Sequence, residues 1–86
     1  MLGIIYAPRF ARRFRHLPEA LQEEAAEKIR LFRDKKNHAQ LRVHKLHGEF
    51  KGCFSFSVNY RTRIVFEYVS KKEAALLAIG DHDVYE

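Results

Sequence analysis

Cysteine is almost missing from this chain: Cys53 is the only one in 86 residues. A single thiol excludes an internal disulfide and any zinc cluster built from thiolates, and it fits a reducing compartment. Long apolar runs are missing too. No segment approaches the roughly 18–20 consecutive apolar residues of a membrane-spanning helix. The apolar start, residues 1–6, is too short for a signal peptide and has no charged leader, so a cytoplasmic location is expected. There is also no phosphate-binding glycine loop, no zinc-finger spacing, no supported Cys–His nucleophile pair, no repeat and no low-complexity linker.

Acidic residues are in the minority. Lys and Arg number 16 against 11 Asp and Glu, a net charge of +5 with a pI near 9.6. In so small a chain this favours a polyanionic partner, either nucleic acid or an acidic protein segment. The plainer reading is a basic, soluble surface. With 47% hydrophobic and 31% charged residues the composition is that of a globular protein, not a disordered or membrane-embedded one. The length points to a single domain, residues 1–86, whose modest core a partner or oligomer could reinforce.

Ile4, Ile5 and Tyr6 are strand formers stopped by Pro8, so residues 2–6 read as a first strand. Pro8 suits the first turn of a helix. Phe10, Phe14 and Leu17 then recur at i, i+4, i+7, while Arg9, Arg12, Arg13 and Arg15 make a basic outer face. Pro18 breaks that helix and begins another, striped by Leu21, Ala25, Ile29 and Phe32. Its glutamates come early and its basic residues late, as the helix dipole favours, and it is expected to end near Lys36 and Asn37. Gly48 and Gly52 bracket a turn. Phe54, Phe56, Val58 and Tyr60 then alternate with Cys53, Ser55, Ser57 and Asn59, the period of a strand with one covered face. Residues 63–69 and 74–79 read as two further strands. The expected fold is α+β in the order β-α-α-β-β-β, a small antiparallel-dominated sheet packed against an N-terminal two-helix hairpin.

Three groups could carry chemistry. His44 and Lys45, with His47 nearby, combine a side chain that exchanges protons near neutrality with positive charge; the plain alternative is an exposed polar segment before a sheet. Arg61 and Arg63 share a strand face on a two-residue period, so both could grip one phosphate, or simply face solvent. His82 stands between Asp81 and Asp83, with Tyr85 close behind, where a carboxylate could orient the imidazole; polar residues also collect in tails. No metal-binding spacing is present and no cofactor is expected. Ser55 and Ser57 read as solvent-face strand residues. RNA needs no protein nucleophile, because its own 2′-hydroxyl can attack the neighbouring phosphate. A base, an acid and positive charge are then enough.

In this order and spacing the pieces resemble the RelE/ParE superfamily of bacterial toxins from type II toxin–antitoxin systems. The resemblance spans nearly the whole chain. It rests most on the Lys45-Leu46-His47-Gly48 segment, the strand from Tyr60 and Arg61 to Phe66, and the terminal Gly80-Asp81-His82-Asp83-Val84-Tyr85. It implies a RelE-like fold, an antitoxin that wraps and blocks the toxin in a hetero-oligomer, and metal-independent cutting of messenger RNA in the ribosomal A site against ribosomal RNA. Position by position, His44 falls where YafQ-like toxins have a histidine and YoeB-like toxins a glutamate acting as base, Arg63 on the phosphate-gripping arginine with Arg61 beside it, His82 near the C-terminal histidine and Tyr85 near the terminal aromatic. Lys45 and the arginines of the first helix would hold RNA by charge. The second histidine of the YafQ pattern corresponds to Ser57 and its aspartate to Arg61. The division of base and acid between His44 and His82 therefore stays open, with Glu49 and His47 as additional candidates. The alternatives are a ParE-like, non-catalytic inhibitor of DNA gyrase and an inactive antitoxin-binding homologue.

Overall fold

The computed structural model describes residues 1–81, so the expectations placed on His82 and Tyr85 lie outside the described residues. A strand β1 (Gly3–Tyr6) leads into helices α1 (Pro8–Arg15) and α2 (Glu19–Phe32). A 3-10 turn, Lys35–Asn37, follows, then the two-residue strand β2 (His44–Lys45), a second 3-10 turn at Gly48–Phe50, and strands β3 (Phe54–Ser57), β4 (Arg63–Ser70) and β5 (Glu73–Gly80). These strands form one sheet in the order β1-β5-β4-β3-β2. β1 runs parallel to β5 and every other pairing is antiparallel. The antiparallel-dominated α+β fold expected from the sequence is the one observed, with β2 as a short extra edge strand.

Pro8 opens α1 at its first position, where its missing N–H costs nothing. The apolar stripes of both helices meet the sheet along one face. Phe32 is the hub: its ring stacks on Phe56 at 4.4 Å and meets Phe66 edge-on at 4.6 Å. Phe10, Ala25, Ile29, Ile64, Leu76 and Ile79 complete that core. Burying a side chain the size of Phe32 contributes about 2–3 kcal/mol from area alone.

α2 ends at Phe32, four to five residues before the expected stop at Lys36 and Asn37. Asp34 leaves the helix in an extended conformation, and its carboxylate accepts the Lys36 N–H at 3.1 Å to start the 3-10 turn. The helix end is then closed from outside. Asn37 Nδ2 donates to the Leu31 carbonyl at 2.8 Å, and His38 Nε2 donates to the Phe32 carbonyl at 2.8 Å while its ring stacks on Phe32. Competition from side chains that bond the backbone locally stops a helix that propensity would have continued.

β3 also stops early. The alternation through Tyr60 predicted a strand, but pairing ends at Ser57 and residues 58–62 form a turn. Asn59 is the cause: its Oδ1 accepts the N–H groups of Arg61 at 2.9 Å and Thr62 at 2.8 Å, the side-chain substitute for a backbone turn.

Candidate active site

Paired residues on neighbouring strands project to the same face, so the register sorts the sheet into two sides. Phe54 with Phe66 and Phe56 with Ile64 face the helices. On the other side His44 pairs with Ser55, Ser55 with Val65, and Ser57 with Arg63, which itself pairs with Gly80. His44 and Arg63 therefore share the face away from the helices. They lie two strands and one two-residue step apart, a Cα separation of roughly 12 Å from ordinary strand geometry.

His44 is exposed on the edge strand, yet its ring is oriented at both nitrogens. Nδ1 lies 2.9 Å from the Arg42 carbonyl oxygen, and Nε2 lies 3.4 Å from Ser55 Oγ. A carbonyl can only accept, so Nδ1 carries the hydrogen and Nε2 of the neutral ring holds the lone pair. The nitrogen able to take a proton is thus the one that meets the Ser55 hydroxyl. Arg42, which supplies the carbonyl, sits at φ 60°, in the left-handed region a non-glycine residue adopts at a cost of about 1–2 kcal/mol. That backbone turn brings the Arg42 oxygen to the Nδ1 edge of the ring two residues later.

Arg63 anchors the turn that precedes it. Its Nη1 donates to the carbonyls of Asn59 at 2.7 Å, Tyr60 at 3.1 Å and Thr62 at 3.2 Å. Among the described residues its Nε and Nη2 hydrogens have no partner, and that edge of the fork has the geometry to hold two phosphate oxygens. Arg61 does not share a strand face with Arg63, contrary to the two-residue reading. It lies in the 58–62 turn with its side chain exposed, because Asn59 has taken the turn amides.

Lys45 is also displaced from the expected cluster. It pairs with Phe54, and alternation along β2 puts it on the opposite side of the strand from His44. His47 precedes the Gly48–Phe50 turn and Glu49 lies within it, both exposed. Gly48 and Gly52 take φ of 69° and 91°, so the expected glycine-bracketed turn is present and needs those residues. Beside the Arg63–Gly80 pair, Arg9, Arg12 and Arg13 of α1 and His16 just past its end line a groove of about 730 Å³ together with Ala78, Ile79, Gly80 and Asp81. Among the described residues no three or more His, Cys, Asp or Glu side chains cluster as metal ligands, and no helix is long and apolar enough to cross a membrane.

Two contributors escaped sequence reading. Ser55 looked like a solvent-face residue but is fully buried, and its hydroxyl meets His44; nothing in a strand-like serine announces this. Asn59 looked like a strand residue, although an asparagine just before Tyr60-Arg61-Thr62 is a turn former, and that signal was available. Cys53, just before β3, has a perturbed thiol. Partial burial pushes its thiol above the ordinary range, and the Glu67 carboxylate adds to the shift.

No protein-family model matches the sequence, and no curated protein matches it. The fold has clear counterparts. A chain of the YoeB–YefM complex from Staphylococcus aureus superposes with a TM-score of 0.74 at 14% identity, over 95% of this chain and 98% of that one. A copper-bound mutant toxin from Helicobacter pylori gives 0.71 at 22% identity, over all of both chains. YafQ from E. coli gives 0.67 at 15% identity, over 98% of this chain and 97% of that one. The fold is the one these solved structures share.

Proposed function

We propose that this protein is the toxin of a toxin–antitoxin pair and acts as a ribosome-dependent endoribonuclease on messenger RNA, with a cognate antitoxin as its protein partner. The observation that carries the reading is that His44 and Arg63 lie on the same side of the sheet, the side away from the helices. His44, held with its hydrogen on Nδ1, takes the proton of the 2′-hydroxyl at Nε2. The 2′-oxygen bonds to the adjacent phosphorus, and the bond from phosphorus to the 5′-oxygen breaks. The products are a 2′,3′-cyclic phosphate and a 5′-hydroxyl. Arg63 offers Nε and Nη2 to the phosphate oxygens as charge builds on them. His82 is assigned the return of a proton to the leaving 5′-oxygen, and Tyr85 and Lys45 contacts with the RNA, on the motif resemblance.

The trough between α1 and β5 suits the RNA backbone: its three arginines outnumber its one carboxylate, Asp81, and it abuts the Gly80 partner of Arg63. Binding through it weakens with salt as counterions are released. The antitoxin partner is supported by the complexes in which similar folds occur, such as YoeB–YefM.

Purified protein added to a translation extract tests the proposal by primer extension on the translated message. Wild type produces discrete breaks, and His44→Ala, Arg63→Ala and His82→Ala each remove them while circular dichroism stays native. A DNA-supercoiling assay run in parallel shows no inhibition. Intact message together with blocked supercoiling would replace this reading with the gyrase one.

A further inference from the structure

We propose that the turn at residues 59–62 is a preformed platform for a nucleobase, with Tyr60 stacking on the base and Arg61 holding the neighbouring phosphate. The inference deepens the RNA-cutting reading and rests on it for the identity of the ligand. Tyr60 is 87% exposed, at the tip of the connection between β3 and β4. A lone exposed tyrosine is ordinary; one on a backbone held from every side is not. Val58 N–H donates to the Thr62 carbonyl at 2.9 Å, and Asn59 Oδ1 receives the amides of Arg61 and Thr62. Asn59 Nδ2 donates to Glu24 Oε1 at 2.7 Å, tying the turn to α2. Arg63 Nη1 covers three of the turn's carbonyl oxygens.

Two consequences follow. A ring carried on a backbone already ordered loses little freedom on stacking, so more of the contact appears as affinity. Arg63 also offsets the negative ends of the turn's carbonyls, which would otherwise repel an approaching phosphate.

The surroundings select nucleic acid over protein. Beside the ring lies a depression of about 600 Å³ lined by Asn59, Arg61, Thr62, Asp81 and a single apolar side chain, Leu21. An aromatic anchor for a protein partner sits in a desolvated, well-packed apolar pocket; this depression is wide open to solvent, with Asn59, Arg61 and Asp81 on its rim. Every base has a π-face, so stacking here adds affinity without fixing sequence. Tyr60 also directly follows Asn59, whose carbonyl Arg63 holds, so the stacked base lies next to the linkage that Arg63 engages.

The test is binding of a fluorescein-labelled single-stranded RNA with 2′-O-methyl riboses, which cannot be cut by 2′-hydroxyl attack, to the full-length protein. Tyr60→Ala and Tyr60→Leu each weaken binding about tenfold or more, whereas Tyr60→Phe stays within about twofold of wild type. Replacing the bases by abasic sites removes the difference between wild type and Tyr60→Ala. Equal affinity of Tyr60→Ala and wild type, with both proteins folded by circular dichroism, overturns the proposal, as does a wild type that binds no RNA. Tyr60-dependent binding of a polyglutamate peptide with RNA binding unchanged overturns it in favour of a protein partner. The nuclease reading fails separately: a wild type that leaves translated message intact but binds RNA through Tyr60 refutes that reading and upholds the platform.

Discussion

The two faces of this sheet are built from the same strands and do different work. Along β3, Phe54 and Phe56 turn to the helices while Ser55 and Ser57 turn away, and along β4 Ile64 and Phe66 oppose Arg63 and Val65. The helix side is carbon against carbon around Phe32. The other side holds a histidine fixed at both nitrogens and an arginine with one edge of its fork unpaired among the described residues. Alternation lets one strand supply both, so stability and chemistry can be disturbed separately.

The largest effect belongs to the helix side. Phe32→Ala removes the ring that touches Phe56, Phe66 and His38, and lowers unfolding free energy by about 3–5 kcal/mol in urea titrations. For a domain this small that is a large part of the total. A loss below about 1 kcal/mol would show that the core is centred elsewhere.

On the open face, Arg63→Ala lowers message cleavage by about 10²–10³ with little change in unfolding midpoint. Arg63→Lys recovers little, since an ammonium cannot reproduce the fork. Asn59→Ala separates the arginine's two contacts. It loosens the same turn, costing about 1–2 kcal/mol, but leaves the guanidinium in place, so cleavage falls far less than in Arg63→Ala. Equal losses in the two variants would mean that Arg63 acts only by holding the turn.

These comparisons also show what could be read from residues alone. The helix face was legible because apolar spacing at 3.6 and 2 residues is imposed by burial, and Phe10, Ala25, Ile29, Phe32 and Phe56 are all buried. The element boundaries were not, because α2 and β3 are both ended by side chains that bond the backbone, Asp34 and Asn59. On the open face His44 and Arg63 are brought to one side by strand register, which a single sequence does not display. Arg61 and Lys45 depart from the expected cluster for the same reason, one taken by a turn and the other by alternation. His82 and Tyr85 rest on motif resemblance.

Smaller effects sharpen the picture of the open face. Ser55→Ala removes the hydroxyl beside His44 Nε2 and changes cleavage by no more than about fivefold, the equivalent of one ordinary hydrogen bond, measured with the unfolding midpoint unchanged. The smallest concerns Cys53. Its thiol is raised by burial first and Glu67 second, so at mildly alkaline pH it holds less thiolate than a free cysteine. Glu67→Gln removes the second cause, lowers the thiol's pKa and speeds alkylation by iodoacetamide roughly two- to fivefold. Slower alkylation in that variant would contradict the assignment of the shift to Glu67.

The central claim is that the RNA's own 2′-hydroxyl is the nucleophile and that the His44–Arg63 face activates it. Its most direct test is a message carrying one 2′-deoxy nucleotide on the 5′ side of a mapped cleavage point, translated in the presence of wild-type protein. The account predicts that cleavage at that point disappears while neighbouring sites are still cut, and that the unmodified message ends in a 2′,3′-cyclic phosphate. Undiminished cleavage at the deoxy position would contradict it.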